Sequence, residues 1–132
     1  MEMKDPIKEA QRYIENAKTL LKEKAILNPE TRSYEDSKYV KLAGHALWTG
    51  AIIALCYSLK IEKKPRQRLD IKDFQEAASK RNKKLLGFLV NQYQAAHIIM
   101  GYDGYKGVGN AKDAIYYTQE IVDWCDKNRP KS

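Results

Sequence analysis

Between Leu42 and Leu59 the chain reads LAGHALWTGAIIALCYSL, a stretch of 18 residues in which His45 is the sole acid or base. Its length reaches the roughly 18 residues at which a membrane-spanning helix is considered. His45, Thr49, Ser58 and two glycines interrupt its apolarity. The rest of the chain supplies several amphipathic helices that need a central partner to cover. The segment is therefore expected to be the most buried helix of a bundle, with no membrane contact. Ala46, Gly50 and Ala54 recur every fourth residue along it. Small residues at that spacing let a neighbouring backbone come close, so a tight helix crossing is expected. Glycine inside a helix costs about 1 kcal/mol relative to alanine, which gives Gly44 and Gly50 packing reasons to be there.

The covering helices are legible from their periodicity. Asp5-Pro6 opens the first, because Asp caps a helix start and Pro suits the first helical position. Ile7, Ala10, Ile14, Ala17 and Leu21 then fall on one stripe. Asn28-Pro29 stops that helix near Leu27. Asp70 can cap a segment with apolar positions at Ile71, Phe74 and Ala78, and the same phase resumes at Leu85, Leu89, Ala96 and Met100. The interval Ser79–Lys84 is wholly polar. One long helix fits, and so does a bend at which Asn82 caps a second helix; the second reading is preferred. Gly101–Asn110 (GYDGYKGVGN) is a loop, with Gly101 suited to the left-handed position after a helix end. Asn110 and Asp113 can cap and charge the last helix, which turns Ala114, Ile115, Thr118, Ile121, Val122 and Cys125 inward.

The expected architecture is all-α. One domain over residues 1–132 forms an antiparallel up-down bundle of four main helices, at about 7–27, 36–60, 84–100 and 111–127. An extra short helix lies at about 71–79, and no strand pairing is expected. Short connections make the helices alternate in direction. The loops at residues 28–34 and 101–110 then share one end. The N-terminus, the 60–70 loop and the C-terminal tail share the other.

A chain of 132 residues, 43% hydrophobic and 31% charged, buries a real core and is too apolar for a disordered one. Its opening residues, MEMKDPIKEAQ, lack the apolar run of a signal peptide. Cys56 and Cys125 lie outside any CxxC pattern, and their depths in the bundle differ by roughly 9 Å, against the about 7 Å limit for bridged Cα atoms. Free thiols in a cytoplasmic protein are expected.

No catalytic or metal-binding set assembles from the residues. Counted from the shared loop end, His45 lies roughly 13 Å down and His97 roughly 5 Å down. Neither has an acid three or four residues away, so no metal site and no cofactor are expected. A buried hydrogen bond between His45 and Tyr93 is the preferred role for the first. The glycine-rich loop follows a helix and lacks GK[ST] or GxGxxG, so it is no phosphate loop. The free N–H groups of the helix after it could still hold an anion beside Lys106 or Lys112.

Two surfaces remain. Twenty-four Lys and Arg stand against 17 Asp and Glu, and Lys60, Lys63, Lys64, Arg66, Arg68, Lys127, Arg129 and Lys131 gather at one end, with Lys4 and Lys8 beside them. Such a patch can follow a phosphate backbone. No stacking aromatics are expected to accompany it. At the other end Tyr34, Tyr102 and Tyr105 form a candidate interaction surface.

Three phrases carry a resemblance: AQRYIENAKTLLKEKA, YVKLAGHALWTGAIIAL and KKLLGFLVNQYQAAHIIMGYDG. Together they resemble a family of small bacterial proteins known only as a domain of unknown function. Its overall look is similar to HEPN-like helical bundles, which include RNA-cleaving toxins and partners of minimal nucleotidyltransferases. The catalytic HEPN signature, an Arg followed by His after four to six residues, is missing. The positions that would carry the His after Arg81 hold Leu86, Gly87 and Phe88, and no Arg stands at that distance before His45 or His97. The resemblance thus implies a fold and not the ribonuclease activity. The expected function is a non-enzymatic interaction module, a homo-oligomer or the partner of a small protein. The alternative is an RNA- or nucleotide-associated HEPN-like protein that binds anions through the basic end.

Overall fold

In the computed structural model, which describes residues 5–62 and 68–131, the first helix starts at its expected cap. The Asp5 carboxylate accepts the Ile7 N–H at 2.9 Å and Pro6 opens helix α1 (Pro6–Thr19). Ile7, Ala10, Ile14 and Ala17 are buried along one stripe. The stripe continues through Leu21 and Ala25 while the winding widens to a π-helix over Leu20–Ala25. Ile26 ends it with φ +59°, a conformation a β-branched residue rarely adopts.

A two-residue hairpin follows, contrary to the expectation of no strand pairing. Strand β1 (Leu27–Asn28) runs antiparallel to β2 (Ser33–Tyr34), with Leu27 opposite Tyr34. Helix α1 stops earlier than Leu27, so the backbone between it and the next helix must find partners within the loop. The Asn28 side chain supports the turn by accepting the Glu30 N–H at 3.0 Å.

Helix α2 (Ser37–Ser58) is capped by Asp36 and buries Val40, Ala43, Leu47, Ala51, Ala54 and Leu55. Helix α3 (Ile71–Arg81) starts in a capping box: the Asp70 side chain takes the Asp73 N–H and Asp73 returns to the Asp70 N–H. Asn82 breaks the polar stretch with an extended backbone and caps helix α4 (Lys83–Gln92), accepting from Lys84 and Leu85. A short helix followed by a longer one is thus what forms, and Asn82 is the reason. Helix α4 continues as a π-helix over Tyr93–Tyr102. Helix α5 (Val108–Lys127) closes the bundle.

Helix α2 lies in the middle, packed against α1, α5 and the second π-helical stretch, Tyr93–Tyr102, called the π segment below. It is long and apolar enough to cross a membrane by length and composition, and the part of it that is buried here meets other helices. Gly50 and Ala54 are buried on the expected small-residue face, with Ala46 half-buried. A Cβ on Gly50 would stand 3.1 Å from the Ala10 carbonyl oxygen of α1. The closer approach is at Gly44, where a Cβ would come within 2.5 Å of the Ala96 carbonyl oxygen and 2.7 Å of the Gly101 nitrogen.

Two loop details differ from expectation. Gly101 sits inside the π segment; the left-handed residue is Gly104, with φ +64°. The last helix starts at Val108, so the cap position is held by Gly107, three residues before the expected Asn110. The Asn110 amide is engaged instead with the Ala95 carbonyl at 3.0 Å, tying α5 to the π segment.

These seams make a paired prediction. Gly44→Ala should destabilise the fold by about 1–3 kcal/mol, because its methyl meets backbone on the facing segment. Gly50→Ala should be close to neutral, since a slight shift of α1 is offset by the about 1 kcal/mol gain in helix propensity. Urea denaturation of both variants checks this, and equal effects would show that the two glycines do not mark seams of different closeness.

Candidate functional site

The loop end is held by backbone. Tyr34 N–H donates to the Lys106 carbonyl at 2.8 Å and Val108 N–H to the Arg32 carbonyl at 3.1 Å, while Ser33 bridges Gly107. The Ser37 hydroxyl donates to the Gly104 carbonyl at 2.8 Å. The two loops expected at one end therefore meet there. Tyr102 and Tyr105 point outward, 67% and 57% exposed, and Ile26, Leu27 and Leu42 are also exposed large apolar residues. Tyr34 differs, being half-buried against the core. Arg32 and Lys112 border a hollow of about 370 Å³ beside the start of α5. The Val108 N–H there is already taken by the Arg32 carbonyl.

At the opposite end Lys60, Arg81, Lys127, Arg129 and Lys131 surround a groove of about 400 Å³. Of the residues expected in this patch, Lys60, Lys127, Arg129 and Lys131 are thus brought together. Lys4, Lys63, Lys64 and Arg66 lie outside the described residues. Lys8 borders a different hollow, on the flank of α1. Arg129 is engaged: its guanidinium grips both Asp5 oxygens at 3.1 Å and donates to Asp126 at 2.9 Å. The Arg129 hydrogen bonds hold the Asp5 carboxyl below the usual carboxylate range. This clamp ties the C-terminal tail to the start of α1, and the Ser58 hydroxyl adds a bond to the Asn128 carbonyl at 2.8 Å.

Arg81 also lines the groove, although its place in the polar run before Asn82 gave no sign of it. Its guanidinium lies 5.7 Å from the Trp124 ring, and that of Arg129 lies 5.9 Å from the Tyr57 ring. Aromatic planes therefore do accompany the basic end. Tyr57 stands three residues before Lys60 and Trp124 three before Lys127, so a spacing of about one helical turn was the available signal for both rings.

Arg68 leaves this groove and borders a separate cavity of about 250 Å³ with Trp48, Tyr93 and His97. His97 stands 5.1 Å from Tyr93 and 5.2 Å from Trp48, ring centre to ring centre, at interplanar angles of 33° and 35°. His45 and Tyr102 meet His97 edge-on, at 6.4 and 5.4 Å. The two histidines are thus level, contrary to the depth count. Ser37, the first residue of α2, pairs with Gly104 rather than with Gly101, and this brings His97 down to the level of His45. His45 itself is exposed, and the buried bond to Tyr93 expected for it does not form; Tyr93 packs on His97 and Trp48 instead. The i, i+4 spacing of Tyr93 and His97 was the available signal for this cluster.

Reactive groups are few. Both cysteines are free. Burial pushes the Cys125 thiol up to about 12 and raises Cys56 as well, so neither is a ready thiolate. Among the described residues no three of His, Cys, Asp and Glu converge on one point. Inside the bundle, the fully buried Gln92 donates to the Thr118 hydroxyl at 2.9 Å.

Comparison with known proteins agrees on fold and is silent on activity. The family described as "Domain of unknown function (DUF5618)" matches residues 5–127. A solved structure, a protein of unknown function from Dyadobacter fermentans, is 30% identical with a TM-score of 0.83. The match covers 92% of this chain and 93% of that one. No curated protein matches.

The aromatic cluster generates a pH prediction. Burial, with a smaller contribution from His45, lowers the His97 pKa below its ordinary 6.5. The unfolded chain then takes up the proton first as pH falls. Stability from this group is full at neutral pH and declines as pH drops through about 6.5 toward the lower folded value. Thermal melts at neutral and mildly acidic pH should show a smaller loss in His97→Gln than in the parent chain. Identical losses would remove His97 as the cause.

Proposed function

The chain belongs to the DUF5618 family, and we propose that it works by binding rather than by catalysis. In this reading it is a cytoplasmic helical module that associates with a second copy of itself or with a small protein partner. The contact surface is the loop end, centred on Tyr102 and Tyr105, with Tyr34 half-buried at the same end. One observation carries it: two tyrosines stand mostly exposed on backbone that three segments hold in place. Tyrosine supplies large contact area at low entropic cost, and a fixed loop loses little freedom on binding. Exposed Ile26, Leu27 and Leu42 add apolar area at the same end. Raised thiol pKa values and the missing HEPN Arg–His pair support the non-catalytic part.

A second reading has its own observation, the groove in which Lys60, Arg81, Lys127 and Lys131 face a common space beside Trp124. Like charges held together favour an anionic partner, and RNA association of HEPN type fits that chemistry.

Sedimentation velocity over a range of concentrations tests the first reading. Tyr102→Ser with Tyr105→Ser should weaken association about tenfold, equivalent to about 1.4 kcal/mol, with the melting temperature unchanged. A wild-type chain that stays monomeric, and whose captured partners the double variant keeps, would exclude the loop end as the surface. RNA titrated at rising salt separates the second reading. Lys60→Gln with Arg81→Gln and Lys127→Gln should lower affinity and reduce the salt slope by up to about 3, because each removed cation leaves about one phosphate with its counterion. Absence of RNA binding at low salt would end that reading.

A further inference from the structure

The cavity between α2, the π segment and the start of α3 serves neither reading above. At about 250 Å³ it falls below the roughly 300–1,000 Å³ of pockets for drug-sized ligands, a size suited to one small ring compound. Its walls are aromatic. Trp48 comes from the middle of α2, and Tyr93 and His97 come from successive turns of the π segment. Phe74 of α3 braces Trp48 edge-on at 6.0 Å. Rings that already hold one another lose little freedom when a ligand arrives, which keeps the entropic cost of binding low.

Two further observations single the place out. A π-helical winding is rare and recurs at functional sites; here it spans Tyr93–Tyr102 and carries two of the cavity's rings. His97 Nδ1 is buried and lacks a hydrogen-bond partner among the described residues, where buried polar atoms are ordinarily paired. At the rim Arg68 supplies a guanidinium, whose planar fork matches carboxylate and phosphate. Asp70, the acid at the same rim, has its carboxylate engaged by the Lys72 and Asp73 N–H groups of α3.

We propose that this cavity binds a small, flat aromatic ring bearing a carboxylate or phosphate, with the ring against Trp48, Tyr93 and His97 and the acid at Arg68. The test is an NMR titration of the full chain, following the indole N–H signals of Trp48 and Trp124. Indole-3-acetate and phenyl phosphate are the probes, and neutral indole and phenol are their matched controls. At least one acid should shift the Trp48 signal saturably, with the matching neutral ring binding about tenfold more weakly. Which acid does so identifies the anionic group. Arg68 is exposed, so Arg68→Gln should fold normally, weaken the acid about tenfold and leave the neutral ring unaffected. Any of three results would overturn the proposal: no saturable Trp48 shift with either acid, equal affinity for acid and neutral ring, or acid binding that Arg68→Gln does not change. A shift confined to Trp124 would place the probe at the basic groove and count against the cavity as well.

Discussion

Everything in the bundle is arranged around covering α2. An apolar helix must bury its large hydrophobic side chains, and each one it hides contributes about 1.5–3 kcal/mol. That demand is met by placing α1, the π segment and α5 against it. The helices approach closely because the backbone carries no Cβ at two points. At Gly50 the neighbour is the Ala10 carbonyl; at Gly44 it is the backbone of Ala96 and Gly101. Close approach increases dispersion attraction along the whole seam, each part of it small and the sum large.

The two ends are secured by different chemistry. At the loop end the hairpin and the 101–110 loop share backbone hydrogen bonds; the Arg32 carbonyl accepts the Val108 N–H and the Ile26 carbonyl the Glu35 N–H, and both residues stand at positive φ. Such conformations cost about 1–3 kcal/mol each and persist only where surroundings fix them. At the other end charge performs the joining, through the Arg129 grip on Asp5 and Asp126. The clamp is exposed, so salt weakens it. The loop end thus displays tyrosines, whereas the charged end displays lysines around a groove.

The chemistry available to the protein follows from these placements. Its one thoroughly buried thiol is kept protonated, and burial lowers the His97 pKa among its rings. What is offered to solvent is aromatic surface, basic surface and an aromatic-walled cavity. All three suit recognition.

Local sequence was enough for the mainly helical class, the buried stripes and the caps at Asp5, Asp70 and Asn82. Each of these depends on residues within a turn or two of one another, where periodicity and local hydrogen bonding decide the outcome. It also determined which loops share an end, because alternation of short-linked helices leaves little choice. Tertiary structure alone decided the relative depth of the helices. A slide of one residue, about 1.5 Å along the axis, changes no local pattern, yet the Ser37–Gly104 bond sets His97 level with His45 and beside Trp48. The same holds for Arg68, which local charge grouped with the basic residues of its loop and packing set beside the rings. Arg81 and Trp124, 43 residues apart, meet for the same reason. The way helices meet depends on how side chains from distant segments interlock, and no single segment encodes that.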